Sequence, residues 1–423
     1  MSNHAYESAA ALRPSSNGPI PISTLCERFS LAPASAEDAA ALNDLSILGV
    51  SVDSGDTAPG ELFVGLPGFT VHGARFAADA VASGAVAVLT DADGARIVHE
   101  SAPGTPVLVH ADPRAVVGPL SAEVYHHPAR GLVTTAVTGT NGKTTTAYFL
   151  DAILSAHVGG CMVAGTVELR VGESSVESPR TTVEAPVLQR MMALAVEDKV
   201  GAASLEASSH AIVLHRLDGI VVDVAGFTNL QRDHLDFHKT MEGYLEAKAQ
   251  LFTPEHARRG VVCVDDQWGA ALAAEAPIEI DRVRAYPGDT PADWWVSDAT
   301  VSLTDSATTF TLHGPDGEQI EASCPLPGLV NVQNAALALV MAIRAGVPAA
   351  TAAAALAGAH NIPGRMQRIS QRDGRRGLCI VDFAHTPEAM ELALKAVRPI
   401  TPGRLIVVFG SDGDRDQGKR PML

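Results

Sequence analysis

The sequence predicts an α/β protein of more than one domain, and three observations carry that prediction. Short β-branched runs alternate with stretches of helical periodicity, the pattern of a largely parallel sheet with helices on both faces. One such run, LVTTAV at 132–137, passes through a glycine-rich turn into a helix, the order of a phosphate-binding unit. The 423 residues exceed one ordinary core, at roughly 100–200 residues per domain, so two to four domains are expected.

Taken in chain order, residues 1–45 are Ala-rich and broken by Pro, Ser and Asn, and are expected to be partly mobile. From Ser46 to Val109, runs such as LFVGL and AVAVLT alternate with a helical stretch near Phe76 to Ala82, which predicts a small α/β domain. A helix at Pro113 to Tyr125 followed by HHPARG reads as a linker. After the 132–137 strand, Ala147, Leu150, Ile153 and Leu154 repeat at helical spacing. Further strands are expected at 201–207 and 219–227, with helices near 184–197, 241–252 and 334–345. A last unit follows PGRMQRI, with strands at 378–384 and 404–410 around a helix from Pro387 to Val397. One β-α-β element is too small a sheet to cover itself, so this unit is expected to be incomplete at its C-terminus.

Composition narrows the class. Hydrophobic residues are 46% and charged residues 19%, enough apolar side chain for substantial cores. A net charge of −17 disfavours nucleic acid as a partner, since such binding neutralises phosphates with Lys and Arg. No run reaches the ~18 apolar residues of a membrane helix, and the start lacks a basic segment leading into an apolar one. A cytoplasmic protein without membrane insertion is expected. Cys26, Cys161, Cys263, Cys324 and Cys379 lie far apart with no C-x-x-C pair, and are expected to be buried thiols rather than a disulfide or zinc framework. Only six lysines stand beside 25 arginines, so each lysine is a rare choice.

Gly139, Thr140, Asn141, Gly142, Lys143, Thr144 and Thr145 occupy the strand-to-helix turn, where backbone N–H groups and the helix N-terminus can hold phosphate. Lys143 can reach the outer phosphates and Thr144 can ligate Mg²⁺. The strict G-x-x-x-x-G-K-[ST] spacing is not met, because Val137 stands where the first glycine would be, and a glycine-rich turn with an exposed lysine is the bland alternative. Glu206 closes an apolar strand before ASSH, at the sheet edge where open α/β folds bind ligands, and is a candidate Mg²⁺ ligand; the alternative is an ion-paired strand-end carboxylate. NLQRDHLDFH gathers Asp233, His234, Asp236 and His238. His234 and His238 lack a third ligand for zinc, so Mg²⁺ or hydrogen bonding suits them better.

Lys248 falls among Tyr244, Leu245, Leu251 and Phe252, in the apolar stripe of its helix. Burial disfavours an ammonium and leaves a neutral amine, which can react with CO₂ to give an anionic carbamate. The alternative is a lysine whose stem packs while its head reaches water.

Together, TGTNGKTTT, LEASSHAIVLHR, FTNLQRDHLDFH, YLEAKAQLF, GLVNVQNAALA, PGRMQRI, VDFAHTPEAM and GDRDQGKRP resemble the Mur ligase family, and within it the third-step ligases. The resemblance implies a three-domain Mur ligase architecture: an N-terminal uridine-nucleotide domain (1–131), a P-loop ATPase-like central domain (132–364) and a truncated Rossmann-like C-terminal domain (365–423). It implies that Gly139 through Thr145 hold ATP, and that Thr144, Glu206, His234 and a carbamylated Lys248 surround Mg²⁺, with Lys143, Glu206, His234 and Lys248 catalytic. Asn331 and Asn334 match adenine-side positions, and Arg365, Asp382 and His385 match hinge-side groups that close on the nucleotide. Val52, Ser54, Phe69, Thr70 and Val71 match uridine contacts, while Thr181, Thr182, Ser208 and Arg216 match contacts near the muramoyl peptide. Arg415 matches the arginine that meets the incoming amino acid.

The activity implied is ATP-dependent addition of a diamino acid, meso-diaminopimelate favoured over L-lysine, to the D-glutamyl carboxylate of UDP-N-acetylmuramoyl-L-alanyl-D-glutamate through an acyl phosphate, by a monomer. Against it stand another Mur-step or folylpolyglutamate synthase-like ligase, and a nucleotide-binding chain without turnover. The sequence also departs from the family: Asp-Ser-Arg reads Asp53-Ser54-Gly55, Asp-Gly-Arg or Asp-Gly-His reads His72-Gly73-Ala74, and Thr-Thr-Pro reads Thr181-Thr182-Val183. The Asp-Asn-Pro-Arg motif that selects the amino acid does not appear.

Overall fold

The structure is a computed structural model, and it describes residues 9–302, 307–359, 362–370, 377–410 and 423. The chain forms two compact units: Met1–Thr134 with Gly160–Val222 and Thr253–Ala257, and Thr135–Gly159 with Asp223–Phe252 and Arg258–Leu423.

In the first unit, five strands run in the order Ala32–Pro33, Val107–Val109, Ala87–Thr90, Glu61–Val64, Gly49–Ser51. Only Ala32–Pro33 is antiparallel to its neighbour. Both sheet faces are covered, which is why these strands read as unbroken apolar runs. The period of two is visible in one strand: Leu62 and Val64 enter one core while Phe63 enters another with Ala77, Ala80 and Val98.

The chain start departs from expectation. It is folded from Ala9 onward, with helices at Ile22–Phe29 and Ala36–Leu42. Ile22, Leu25 and Leu42 are buried in the first core, and Ser35 caps the second helix by accepting from Asp38 N at 3.1 Å. Few apolar residues sufficed because they fall on one helix face. Pro113–Val124 is likewise no simple linker: Asp112 caps it, proline opens it, and Val117, Leu120 and Val124 join the same core. The unit also contains strands in the order Ser174–Glu177, Glu168–Val171, Cys161–Ala164, Ala202–Glu206, and the helix Ala185–Glu197.

In the second unit the strand order is Val133–Thr138, Val222–Phe227, Ala257–Cys263, Glu279–Arg284, Trp294–Val301, Thr308–His313, Gln319–Cys324. Val133–Thr138 and Val222–Phe227 pair in parallel, as do the strands from Ala257 to Val301, and the last three form an antiparallel meander. The helices Lys143–Val158 and Leu329–Arg344 belong to this unit, the latter buried through its middle from Asn331 to Ala342.

Toward the C-terminus, Gln367–Ser370 pairs antiparallel with Cys379–Val381, a shorter strand than the 378–384 expected, and Pro387–Val397 is the expected helix. The strand expected at 404–410 does not form, and Ile406 and Val408 are 74% and 96% exposed. β-propensity alone does not make a strand; the backbone needs a neighbour to bond. All five cysteines are free: Cys161, Cys263 and Cys324 are buried as expected, Cys26 is half-buried, and Cys379 is exposed.

Candidate active site

In the second unit the turn after Val133–Thr138 takes conformations that favour glycine. Gly139 has φ of 143° and Gly142 φ of 90°, and a Cβ on Gly142 would lie 2.3 Å from Asn334 Oδ1. The loop is pinned from the segment after Val222–Phe227. Thr140 N donates to Asn229 O at 2.9 Å, Asn141 N to Asn229 Oδ1 at 3.1 Å, and Asn141 Nδ2 to Gln231 Oε1 at 2.8 Å. Thr228 Oγ1 donates to Asn141 O at 2.6 Å. Lys143 Nζ folds back onto the carbonyls of Gly139 and Thr140, at 2.9 and 3.0 Å. Thr144 and Thr145 lie buried in the first helical turn, and Thr144 Oγ1 accepts from Arg365 Nη2 at 3.1 Å.

Lys248 is buried, 1% exposed, and its Nζ donates to Gly139 O at 2.9 Å while lying 4.4 Å from the centre of the Tyr244 ring. The structure therefore excludes the snorkelling alternative. Desolvation pushes its amine well below the ordinary lysine value; Lys143 adds repulsion, and Asp233 opposes both. Two lysine heads thus converge on one loop carbonyl, that of Gly139. His234, in a left-handed conformation, meets Tyr244 edge-on at 6.1 Å and lies 3.6 Å from Asp233 Oδ2. His238 stacks on Tyr244 with ring centres 4.8 Å apart. Among the described residues no cluster of three or more His, Cys, Asp or Glu is arranged to hold an ion.

Asn334 reaches the loop through Gly142, and among the described residues its buried Oδ1 has no hydrogen-bond partner. Asn331, one turn earlier, is buried with its Nδ2 donating to Pro327 O at 2.8 Å. Arg365 lies over Phe383 at 4.8 Å, and Asp382 accepts from Met366 N and Ala384 N, each at 2.8 Å. His385 is exposed beside Phe383, its Nδ1 3.0 Å from Phe383 O.

In the first unit Glu206 ends its strand buried, accepting from Thr166 N at 2.8 Å and Thr166 Oγ1 at 3.0 Å, not from a basic side chain in these bonds. Thr181 Oγ1 meets the same Thr166 hydroxyl at 3.2 Å. Thr182 Oγ1 donates to Glu206 O at 2.7 Å and accepts from Ser208 N at 3.0 Å, and Ser208 caps Ser209–Val213. Arg216 Nη1 donates to Thr182 O at 3.1 Å, and its Nη2 lies 2.9 Å from Glu184. Glu184 also meets Arg180 at 3.0 Å and Arg114 at 3.6 Å, so three guanidinium groups share one carboxylate. Desolvation holds the Arg216 guanidinium below its ordinary value against the pull of Glu184, and Arg180 and Arg114 push the same way as burial. Its Nε is buried with no partner among the described residues, suited to an anionic guest.

Elsewhere in this unit, Val52 packs partly buried on the first core and Ser54 opens a short turn capped by Asp53. Phe69, Thr70 and Val71 form an exposed loop, with Phe69 89% exposed. His72 Nδ1 accepts from Ala74 N at 3.1 Å and its Nε2 lies 3.1 Å from Asp91. Arg415 lies outside the described residues. Thr166, Glu184, Asn229, Gln231 and Tyr244 were not singled out as site residues by sequence; Asn229 and Gln231 lie in the quoted polar loop, whereas Thr166 has no signal beyond its type.

Three family models match in order: "Mur ligase family, catalytic domain" at residues 46–125, "Mur ligase middle domain" at 137–342 and "Mur ligase, glutamate ligase domain" at 364–423. A UDP-N-acetylmuramoyl-L-alanyl-D-glutamate--2,6-diaminopimelate ligase of Streptomyces avermitilis is 45% identical over 377 residues, covering 89% of this chain and 73% of that protein. A UDP-N-acetylmuramyl-tripeptide synthetase of Leifsonia xyli is 42% identical over 419 residues, 97% of this chain and 78% of its own. A solved 2,6-diaminopimelate ligase structure matches with a TM-score of 0.70 at 33% identity, over 89% of this chain and 75% of that one. A MurF structure from Acinetobacter baumannii, 20% identical with a TM-score of 0.65 over 90% of this chain and 76% of its own, shares the fold.

Proposed function

The chain belongs to the Mur ligase family, and on that premise we propose that it is an ATP-dependent ligase joining 2,6-diaminopimelate to the D-glutamyl carboxylate of UDP-N-acetylmuramoyl-L-alanyl-D-glutamate, a step of peptidoglycan precursor synthesis. The observation that carries the reading is the 45% identity, over 89% of the chain, to a ligase named for this reaction. The three matched segments support a division into domains at 1–131, 132–364 and 365–423. No helix among the described residues is long and apolar enough to cross a membrane, and the need for ATP favours the cytoplasm.

The chemistry joins anions, so the protein's task is to place positive charge and donors. The D-glutamyl carboxylate attacks the γ-phosphorus of ATP and ADP leaves; the diamino acid's amine then attacks the acyl carbon, and phosphate leaves with the bridging oxygen. In this reading the N–H groups of Gly139 through Thr145 and the helix N-terminus bind the phosphates, and Lys143 exchanges its two loop carbonyls for phosphate oxygens. Asn331 and Asn334 meet the adenine, and the unpaired Asn334 Oδ1 suits an amino donor. Arg365, Asp382 and His385 serve the nucleotide side, and Arg415 the incoming carboxylate.

Thr144, His234 and Lys248 as a carbamate, and separately Glu206, are the residues we propose for Mg²⁺. The hydroxyl, carboxylate and carbamate oxygens of this set suit that hard cation, His234 being its one nitrogen donor, and the ion would neutralise developing phosphate charge. Burial lowers the Lys248 amine well below its ordinary value, the direction that favours the neutral form able to react with CO₂. Val52, Ser54 and the Phe69–Val71 loop take the uridine end, and Thr181, Thr182, Ser208 and Arg216 the muramoyl peptide. A folylpolyglutamate synthase reading has only fold in its favour: the Escherichia coli FolC structure is 22% identical over 66% of the chain.

Phosphate release that requires ATP, the UDP-muramoyl dipeptide and 2,6-diaminopimelate together is the expected result; release with neither substrate, or only with a folate, would overturn the proposal. Arg216→Gln should raise the KM for the UDP-muramoyl dipeptide about 10- to 100-fold, the worth of a charged hydrogen bond, while the KM for ATP stays within about twofold. An unchanged dipeptide KM would remove Arg216 from the site.

A further inference from the structure

The chain start and one buried arginine converge on the turn that carries Ser54. Arg190, on the Ala185–Glu197 helix, is 1% exposed. Its guanidinium forks onto Asp56, with Nη1 to Oδ2 at 2.9 Å and Nη2 to Oδ1 at 3.3 Å. Two further donors go to the chain start: Nε to Leu12 O at 3.0 Å and Nη2 to Ala9 O at 2.8 Å. Arg13 also reaches this turn, bonding the Asp56 carbonyl, the Asp56 carboxylate at 3.4 Å, and Glu61. Leu12 between them is buried. Further along, Ser15 N and Ser16 N donate to Glu197 at 3.0 and 3.2 Å, so both ends of the segment are tied to one helix.

Within the turn, Gly55 N donates to Asp53 Oδ1 at 2.9 Å and Asp56 N to Asp53 O at 3.0 Å, and Thr57 Oγ1 donates to Asp53 O at 3.1 Å. Gly55 has no side chain with which to brace it. The outside bracing comes from Arg190 and Arg13, and burying a charge such as Arg190 is costly unless it is paired and hydrogen-bonded; here each of its three guanidinium nitrogens has a partner. That helix begins directly after Glu184, the carboxylate shared by Arg216, so one rigid element is bonded to the turn and adjoins the arginine cluster.

We infer that Arg190 is a positioning residue for nucleotide recognition: through Asp56 it holds the Asp53–Asp56 turn, and so Ser54, in the conformation that binds the uridine diphosphate end of the substrate, with residues 9–16 as a strap locked by Glu197. The inference rests on the reading of Ser54 as part of that site. Holding a binding turn in advance removes ordering cost from association, so its loss weakens binding without altering the chemistry of bound substrate.

The test is titration calorimetry of UDP alone on the full chain, with wild type, Asp56→Asn, and Glu197→Ala as a variant that leaves the buried arginine paired. Asp56→Asn should weaken UDP about tenfold and Glu197→Ala about threefold, with kcat at saturating substrate within about twofold of wild type. UDP affinity unchanged in both variants, whatever happens to their melting temperatures, overturns the positioning role. Wild type that fails to bind UDP overturns the uridine reading on which it rests, and the inference with it.

Discussion

Lys248→Ala lowers amide synthesis about 10²- to 10³-fold, and a short-chain carboxylate added to the assay restores part of the loss. The size follows from removing a charge that acts in a water-poor site, where one preorganised electrostatic contact is worth about 10²–10³ in rate. Two facts make the residue more than a packing lysine. Its stem and head are both buried, and its amine bonds the carbonyl of Gly139, the first residue of the phosphate loop. Alanine leaves a cavity that a small carboxylate can enter, replacing the carbamate's two oxygens. Wild-type rates in the variant, measured as ADP release and as product mass, would show that the lysine only fills space.

Gly139→Ala abolishes nucleotide binding, weakening ATP at least about 100-fold, as fluorescence titration of a labelled nucleotide would measure. The added Cβ would sit 1.9 Å from Thr228 Oγ1, far inside contact distance, at a φ of 143° that alanine rarely adopts. Relief requires moving the Thr228 hydroxyl, which holds Asn141 O at 2.6 Å, so the fault spreads into the loop. Retained affinity would mean that ATP does not need this loop conformation.

Much of the second unit's site could be read from the sequence because its constraints are local. Positive-φ positions select glycine, and a loop that binds phosphate places them beside a lysine at a helix start. Lys248 was visible because it interrupts an apolar stripe, a contradiction that only function or snorkelling resolves. The first unit was less readable. Thr181, Thr182, Ser208 and Arg216 came from family likeness, and the structure brings them together around Thr166 and Glu184, which reach them from other segments. Arg190 reads as an ordinary polar position on a helix; its partner Asp56 lies 134 residues away, and no periodicity records such a pairing. The folded chain start is not legible in the sequence because Ile22, Leu25 and Leu42 are sparse among alanines, and become a core only once the sheet covers them. At 404–410 the opposite holds: a strongly β-prone run forms no strand, because strand formation depends on a neighbour.

The claim on which all of this depends is that the carboxylate is activated by phosphorylation before the amine attacks. It is tested most directly by labelling the D-glutamyl γ-carboxylate with ¹⁸O and following the label into phosphate by mass spectrometry during synthesis. Attack on the γ-phosphorus and later loss of phosphate predict one labelled oxygen in each phosphate released and one retained in the new amide. Phosphate that carries no label while amide accumulates would contradict it.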